Sequence, residues 1–229
     1  MNRTGKGQGR KGLMRTVLAL IKDRCLYLLL SLVVLLLVYP YTGSYPVLIL
    51  VFNSLTIIGG VYAVSAAGRH IVFASVVAAL HILCFAVGYS TASSVLRIAG
   101  LSLLAVFYLY TFVRVIDYVF QGKEATGDKI FGAISAYLLL GFVWSILYSL
   151  VFSLQPGAFT VSSPADSRPG GPDFVYFSFI TLLTVGYGDI TPHSGIARSI
   201  AILEGVAGVM YIGVFIARIV SLYRREPHQ

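Results

Sequence analysis

The chain has 229 residues, 57% of them hydrophobic and only 11% charged, with a mean hydropathy of +0.84 and a formal charge of +8. Soluble domains carry about 25% charged residues, so this composition excludes an ordinary soluble domain and calls for lipid as the solvent. His70, His81, His193 and His228 are scattered and the two cysteines stand apart, so neither an enzyme nor a cofactor is expected.

Seven of the 17 basic residues lie at the start of the chain: Arg3, Lys6, Arg10, Lys11, Arg15, Lys22 and Arg24. A nucleic-acid arm is one reading of such a run. The apolar run that follows at once favours a cytoplasmic anchor, with no nucleic-acid partner. Within residues 11–24, Leu13, Met14, Val17, Leu18 and Ile21 share one helical face, and Lys11, Arg15 and Lys22 share the other. That is the pattern of an interfacial helix touching anionic lipid, so membrane lipids are expected partners.

A membrane helix needs roughly 20 apolar residues. Residues 25–68 carry no charge and are divided by Pro40-Tyr-Thr-Gly-Ser-Tyr-Pro46, giving two spans and a tight turn. The third span covers 71–96. The fourth covers about 98–113, lengthened by Arg97 and Arg114, which can snorkel from its ends. The fifth and sixth cover about 130–154 and 196–222. Cys25 then lies at the inner end of the first span and Cys84 toward the outer end of the third, too far apart to bridge. Six spans divide the chain into a basic segment 1–24, a four-helix region 25–114, a linker 115–129 and a last region 130–229. Only six residues follow Tyr223, so no nucleotide-binding or calcium-sensing domain is expected there.

With the N-terminus inside, Arg69, Arg114, Lys123, Lys129, Arg218, Arg224 and Arg225 join the first seven basic residues on the inner side. Only Arg97, Arg168 and Arg198 fall outside. The positive-inside rule therefore puts both termini in the cytoplasm of a multi-pass protein of the cell (plasma or inner) membrane.

The outer segment between spans five and six is more than a loop. Residues 155–171 are rich in Pro, Gly and Ser, and S-S-P-A-D-S-R-P-G-G (162–171) reads as an exposed turret. Asp173 to Thr184 then form a helix-compatible run of ~18 Å, with Pro172 and Asp173 as start signals. That is too short to cross, so a re-entrant half-helix is expected, with the irregular backbone after it buried or lining a water-filled cavity. Thr184-Val185-Gly186-Tyr187-Gly188 follows directly. Glycines at alternate positions allow dihedrals that let successive carbonyls point one way, and these oxygens, with the Thr184 hydroxyl, can replace the hydration shell of a cation. One strip cannot enclose an ion, so a homotetramer is implied.

Residues 184–189 resemble the potassium channel signature, T-V-G-Y-G followed by Asp. The resemblance covers about residues 129–223, and stretches such as Tyr137-Leu-Leu-Leu-Gly and Ala197-Arg-Ser-Ile-Ala-Ile-Leu-Glu look like prokaryotic members with a two-helix pore domain. Together with the six spans, it implies an all-α membrane protein of six transmembrane helices with a re-entrant pore helix and filter loop. It implies K+ coordination at Thr184, Val185, Gly186 and Tyr187, with Gly188 and Asp189 at the outer mouth. Tyr176, Phe177 and Thr181 on the half-helix are candidates for supporting the filter. In some relatives a pore-helix carboxylate partners the filter aspartate, but here that position is Ile180. Asp189 needs another donor, either Tyr176 or a backbone amide.

The resemblance also places a gating hinge at Gly208; close packing with Gly205 is the alternative. Ile212, Ile216 and Val220 share one helix face, which is either an apolar gate that closes by dewetting or a lipid and helix contact. Glu204 is a carboxylate inside a span. It either binds the ion or accepts hydrogen bonds behind the half-helix. Voltage sensing needs several charges in the field, whereas the fourth span offers only Arg97 and Arg114 at its two ends, so weak or absent voltage dependence is expected. A non-selective cation channel and a non-conducting accessory subunit are the rival functions.

Overall fold

The computed structural model describes residues 24–42, 46–64, 68–121, 126–162 and 169–223, and within these not the side chains of 46–47, 64, 68–69 and 219–223. The interfacial helix expected within 11–24, most of the turret and the side chains of Arg69 and Val220 lie outside the described residues. The chain is an all-α membrane protein, with one short ribbon among the described residues. Its helices are α1 (Arg24–Val38), α2 (Pro46–Val64), α3 (Gly68–Ser90), α4 (Ser94–Phe120), α5 (Gly127–Leu154), α6 (Gly171–Leu182) and α7 (Gly195–Tyr223). Five are long and apolar enough to cross a membrane. The remaining long helix, α2, holds a shorter apolar stretch, Leu48–Ala63.

Buried leucines at 28, 32 and 35 follow the helical period and give α1 one inward face. That face packs on α2 and α5, while α4 packs on α3 and α5. The long helix α5 is thus the common wall between the four-helix region and the last helices. At its start, the Asp128 carboxylate accepts the Cys25 amide at 2.8 Å and the Tyr118 hydroxyl at 2.8 Å. One acidic side chain therefore satisfies an orphan donor at the N-terminus of α1 and fixes the end of α4. Cys25 is buried against α5.

The fourth helix does not end near 113 but continues to Phe120. Arg114 and Asp117 pair at 3.0 Å on its exposed side, so their charges do not interrupt the helix. Val115 and Val119, four residues apart, are buried on the other side. The linker expected over 115–129 shrinks accordingly to the few residues between α4 and α5.

A two-stranded antiparallel ribbon was not expected. Strand β1 (Phe159–Val161) pairs with β2 (Ile190–Pro192), with Thr160 opposite Thr191. It ties the start of the outer segment to the chain that emerges after the glycine-rich strip. The half-helix α6 starts earlier than expected, at Gly171, because the Asp173 carboxylate accepts the Gly170 amide at 2.7 Å and Pro172 sits in the first turn, where no donor is needed.

Candidate functional site

The strip after α6 is held in an alternating backbone. Thr184, Gly186 and Gly188 have φ of 58°, 54° and 78°, whereas Val185 and Tyr187 lie in the ordinary region. Such alternation lets successive carbonyls face one way, and it explains the glycines at 186 and 188. The left-handed turn at Thr184 also ends the helical run two residues earlier than expected. The start of the strip is tied to the last turn of α6. The amides of Val185 and Gly186 donate to the Ile180 carbonyl at 2.8 and 3.2 Å, and the Thr184 amide donates to the Thr181 carbonyl at 2.9 Å. Thr181 thus acts through its backbone, at the end of α6 that carries the negative pole of the helix dipole.

Within one chain the strip is uncovered. Val185 and Tyr187 are 48% and 72% exposed, and a Cβ at Gly186 or Gly188 would meet nothing within 4 Å.

Beyond the strip, Asp189 finds both candidate donors at once. The Tyr176 hydroxyl donates to one carboxylate oxygen at 2.8 Å, and the Ile190 amide to the other at 3.1 Å. The bond to Asp189 pushes the Tyr176 phenol up to about 12, so it stays protonated and donating throughout the neutral range. The Asp189 carbonyl in turn accepts the Ser162 amide at 2.8 Å, which continues the β1–β2 ribbon. Phe177 faces the opposite way. It is buried among Tyr148, Phe159 and Phe174, with its ring centroid 4.9 Å from that of Tyr148 in an edge-to-face contact. It fixes α6 from behind rather than touching the strip.

Glu204 is fully buried on α7 and joins three helices. Ser178 of α6 lies 2.5 Å from one carboxyl oxygen, and the Tyr148 hydroxyl of α5 donates to the other. Ser178 also lies 2.7 Å from the Gly141 carbonyl of α5. The carboxyl group therefore sits behind α6 among hydroxyl groups, the environment a buried carboxyl requires. Ser178, Tyr148 and Gly141 were not singled out from the sequence. The signal was available: a carboxyl group within a span demands donors, and Ser178 is a hydroxyl on the buried side of α6.

Two glycines let α6 approach its neighbours. A Cβ at Gly141 would meet the Phe179 ring at 2.7 Å, and one at Gly208 would run into the Leu182 carbonyl oxygen. That carbonyl also accepts the Tyr137 hydroxyl at 3.3 Å. A Cβ at Gly205, by contrast, meets nothing within 4 Å, so the close contact of Gly208 is with α6. Further along α7, the Tyr211 hydroxyl donates to the Ala133 carbonyl at 2.6 Å and the partly buried Phe215 packs against the core. Ile212 and Ile216 are exposed. Near the end of α7, Arg218 donates to the Phe120 carbonyl at 3.0 Å, which joins α7 to the C-terminus of α4.

These features define a class: a multi-pass, all-α membrane protein whose last two long helices bracket a short helix and an alternating strip. Residues 129–225 match the family model described as "Ion channel". The chain is 32% identical to Protein LctB of Bacillus caldotenax over 96 residues, which is 41% of this chain and 71% of that protein. It is 39% identical to Protein LctB of Geobacillus stearothermophilus over 89 residues, 36% of this chain and 62% of that protein. It is 35% identical to Two pore potassium channel b of Oryza sativa subsp. japonica over 101 residues, 44% of this chain and 26% of that protein. No solved structure matches the chain significantly. The chain belongs to the ion channel family, which is not a family of enzymes.

Proposed function

We propose that the chain is the subunit of a homotetrameric, potassium-selective channel that conducts passively across the cell membrane. The observation that carries this is the alternation of left-handed dihedrals at Thr184, Gly186 and Gly188, directly after a helix that presents its C-terminal end. The backbone carbonyls of Thr184, Val185, Gly186 and Tyr187 and the Thr184 hydroxyl are the proposed K+ ligands, and four copies are needed to close each ring of oxygens. The exposure of this strip and of most of α7 fits a surface that neighbouring copies cover. The names of two relatives, Two pore potassium channel b and Putative potassium channel protein RPA4233, support potassium as the ion.

Residues 130–229 form the pore region in this reading. The four-helix region 25–114 is a collar without gating charges, and both termini are cytoplasmic. Arg97 and Arg114, the arginines of α4, lie ~25 Å apart along the helix, so conductance depends weakly or not at all on voltage. Glu204 is a structural acceptor behind the pore helix. Gly208 is a hinge or a packing contact, and Ile212, Ile216 and Val220 are the candidate apolar gate. Reconstitution of the full chain into vesicles, with separate measurement of potassium and sodium uptake, tests the proposal. Potassium uptake in large excess over sodium is expected. Equal uptake identifies a non-selective channel, and no uptake identifies an accessory subunit.

A further inference from the structure

A groove of about 520 Å³ runs between α1 and α2, away from the strip and its supports. Its walls are Tyr27, Leu30 and Val34 on one side and Leu55, Ile58 and Tyr62 on the other. Gly59 forms the floor, where an added Cβ would meet the Ser31 hydroxyl oxygen at 3.0 Å. Ser31 donates back to the Leu28 carbonyl at 2.8 Å, so its polarity is satisfied within its own helix and the groove offers an apolar surface. We propose that this groove binds an anionic phospholipid, one acyl chain lying between α1 and α2 and the phosphate held at the Arg24 end.

Three observations select that occupant. The first is depth: from Tyr27 to Val34 the helix rises ~10 Å, less than half of a hydrocarbon core of about 30 Å. The groove therefore serves one leaflet. The second is the aromatic end. Tyr27 and Tyr62 meet edge to face, with ring centroids 5.9 Å apart, and tyrosines at that position belong at the headgroup level. The third is charge. The Arg24 guanidinium lies 5.8 Å from the centre of the Tyr62 ring. One such cation near an anionic headgroup raises affinity about fivefold. A second copy of the chain is disfavoured as the occupant, because the long uncovered helix α7 packs on α5 and α6.

The site does not depend on what the chain conducts, and the test reads lipid rather than current. The full chain is reconstituted into phosphatidylcholine vesicles doped with phosphatidylglycerol and extracted gently, and the lipids retained per chain are counted by native mass spectrometry. Phosphatidylglycerol is expected to be retained over phosphatidylcholine. Arg24→Gln is expected to lower its retention about fivefold, and Leu55→Trp, which fills the groove, at least as much. Leu37→Trp, at an exposed position of α1 that does not line the groove, leaves retention unchanged. Equal retention of the two lipids overturns the proposal, as does wild-type retention in Leu55→Trp. Disulfide cross-linking between copies carrying Leu55→Cys also overturns it, because a neighbouring chain would then cover the groove.

Discussion

The helices on either side of the short helix α6 are both long and apolar, yet they live in different surroundings. In α5, 56% of the apolar stretch is buried within the chain, against 11% in α7. The wall helix α5 is covered largely by its own chain: α1, α4 and α6 pack on it, and Gly141, Ser145, Tyr148 and Asp128 each have a partner there. Helix α7 is finished on one side only. Glu204, Gly208, Tyr211 and Arg218 engage the chain, while Ile202, Val206, Val209 and Ile216 are exposed. An apolar face in lipid needs no cover. A row of carbonyls beside it does, and this makes the exposed side of α7 and the strip the place where further copies are expected. The difference between α5 and α7 thus marks the inside and the outside of one subunit.

The comparison breaks first at the contacts that hold α6 between the two helices. Gly208→Val drives two methyl groups toward the rigid backbone at Leu182. A loss of about 1–3 kcal/mol or more is expected from overpacking, read as loss of the oligomer in detergent and of ion flux. Glu204→Ala leaves the buried Tyr148 hydroxyl without an acceptor, at a cost of about 1–3 kcal/mol. Glu204→Gln keeps an acceptor and should unfold near the wild-type temperature with unchanged ion preference. If both variants behave like wild type, the three-helix junction has no structural role. Gly186→Ala places a side chain at a left-handed position and costs about 1–2 kcal/mol per copy. Its expected signature is normal folding and assembly with lost or unselective flux. The smallest effect belongs to the four-helix region. Neutralising Arg97 and Arg114 together removes one exposed ion pair worth at most about 1 kcal/mol and should leave the conductance–voltage relation flat. A steep curve in the wild type that flattens in this variant would make the collar a voltage sensor.

The apolar runs and the glycine strip were legible because each follows from local chemistry: the length needed to cross lipid, and the dihedrals that only glycine adopts readily. What escaped depended on partners distant in sequence. The end of α4 was misplaced because Arg114 marked an exit from lipid, and an exit from lipid is not an end of helix when Val115 and Val119 still have α5 to pack on. The β1–β2 ribbon was hidden because three-residue strands carry too little pattern, and their pairing joins residues on opposite sides of the strip. Tyr176 was legible as one of two donors for Asp189. That Tyr176 and the Ile190 amide both serve required the fold. Glu204 announced itself as an anomaly, but its partners Ser178 and Tyr148 lie 26 and 56 residues away.

The central claim is that four copies of this strip select potassium. Its most direct test is the reversal potential of the full chain in a planar bilayer with potassium on one side and sodium on the other. A reversal potential close to the potassium equilibrium value, lost in Gly186→Ala, is the predicted result. A reversal at zero, with wild type and variant alike, would contradict it.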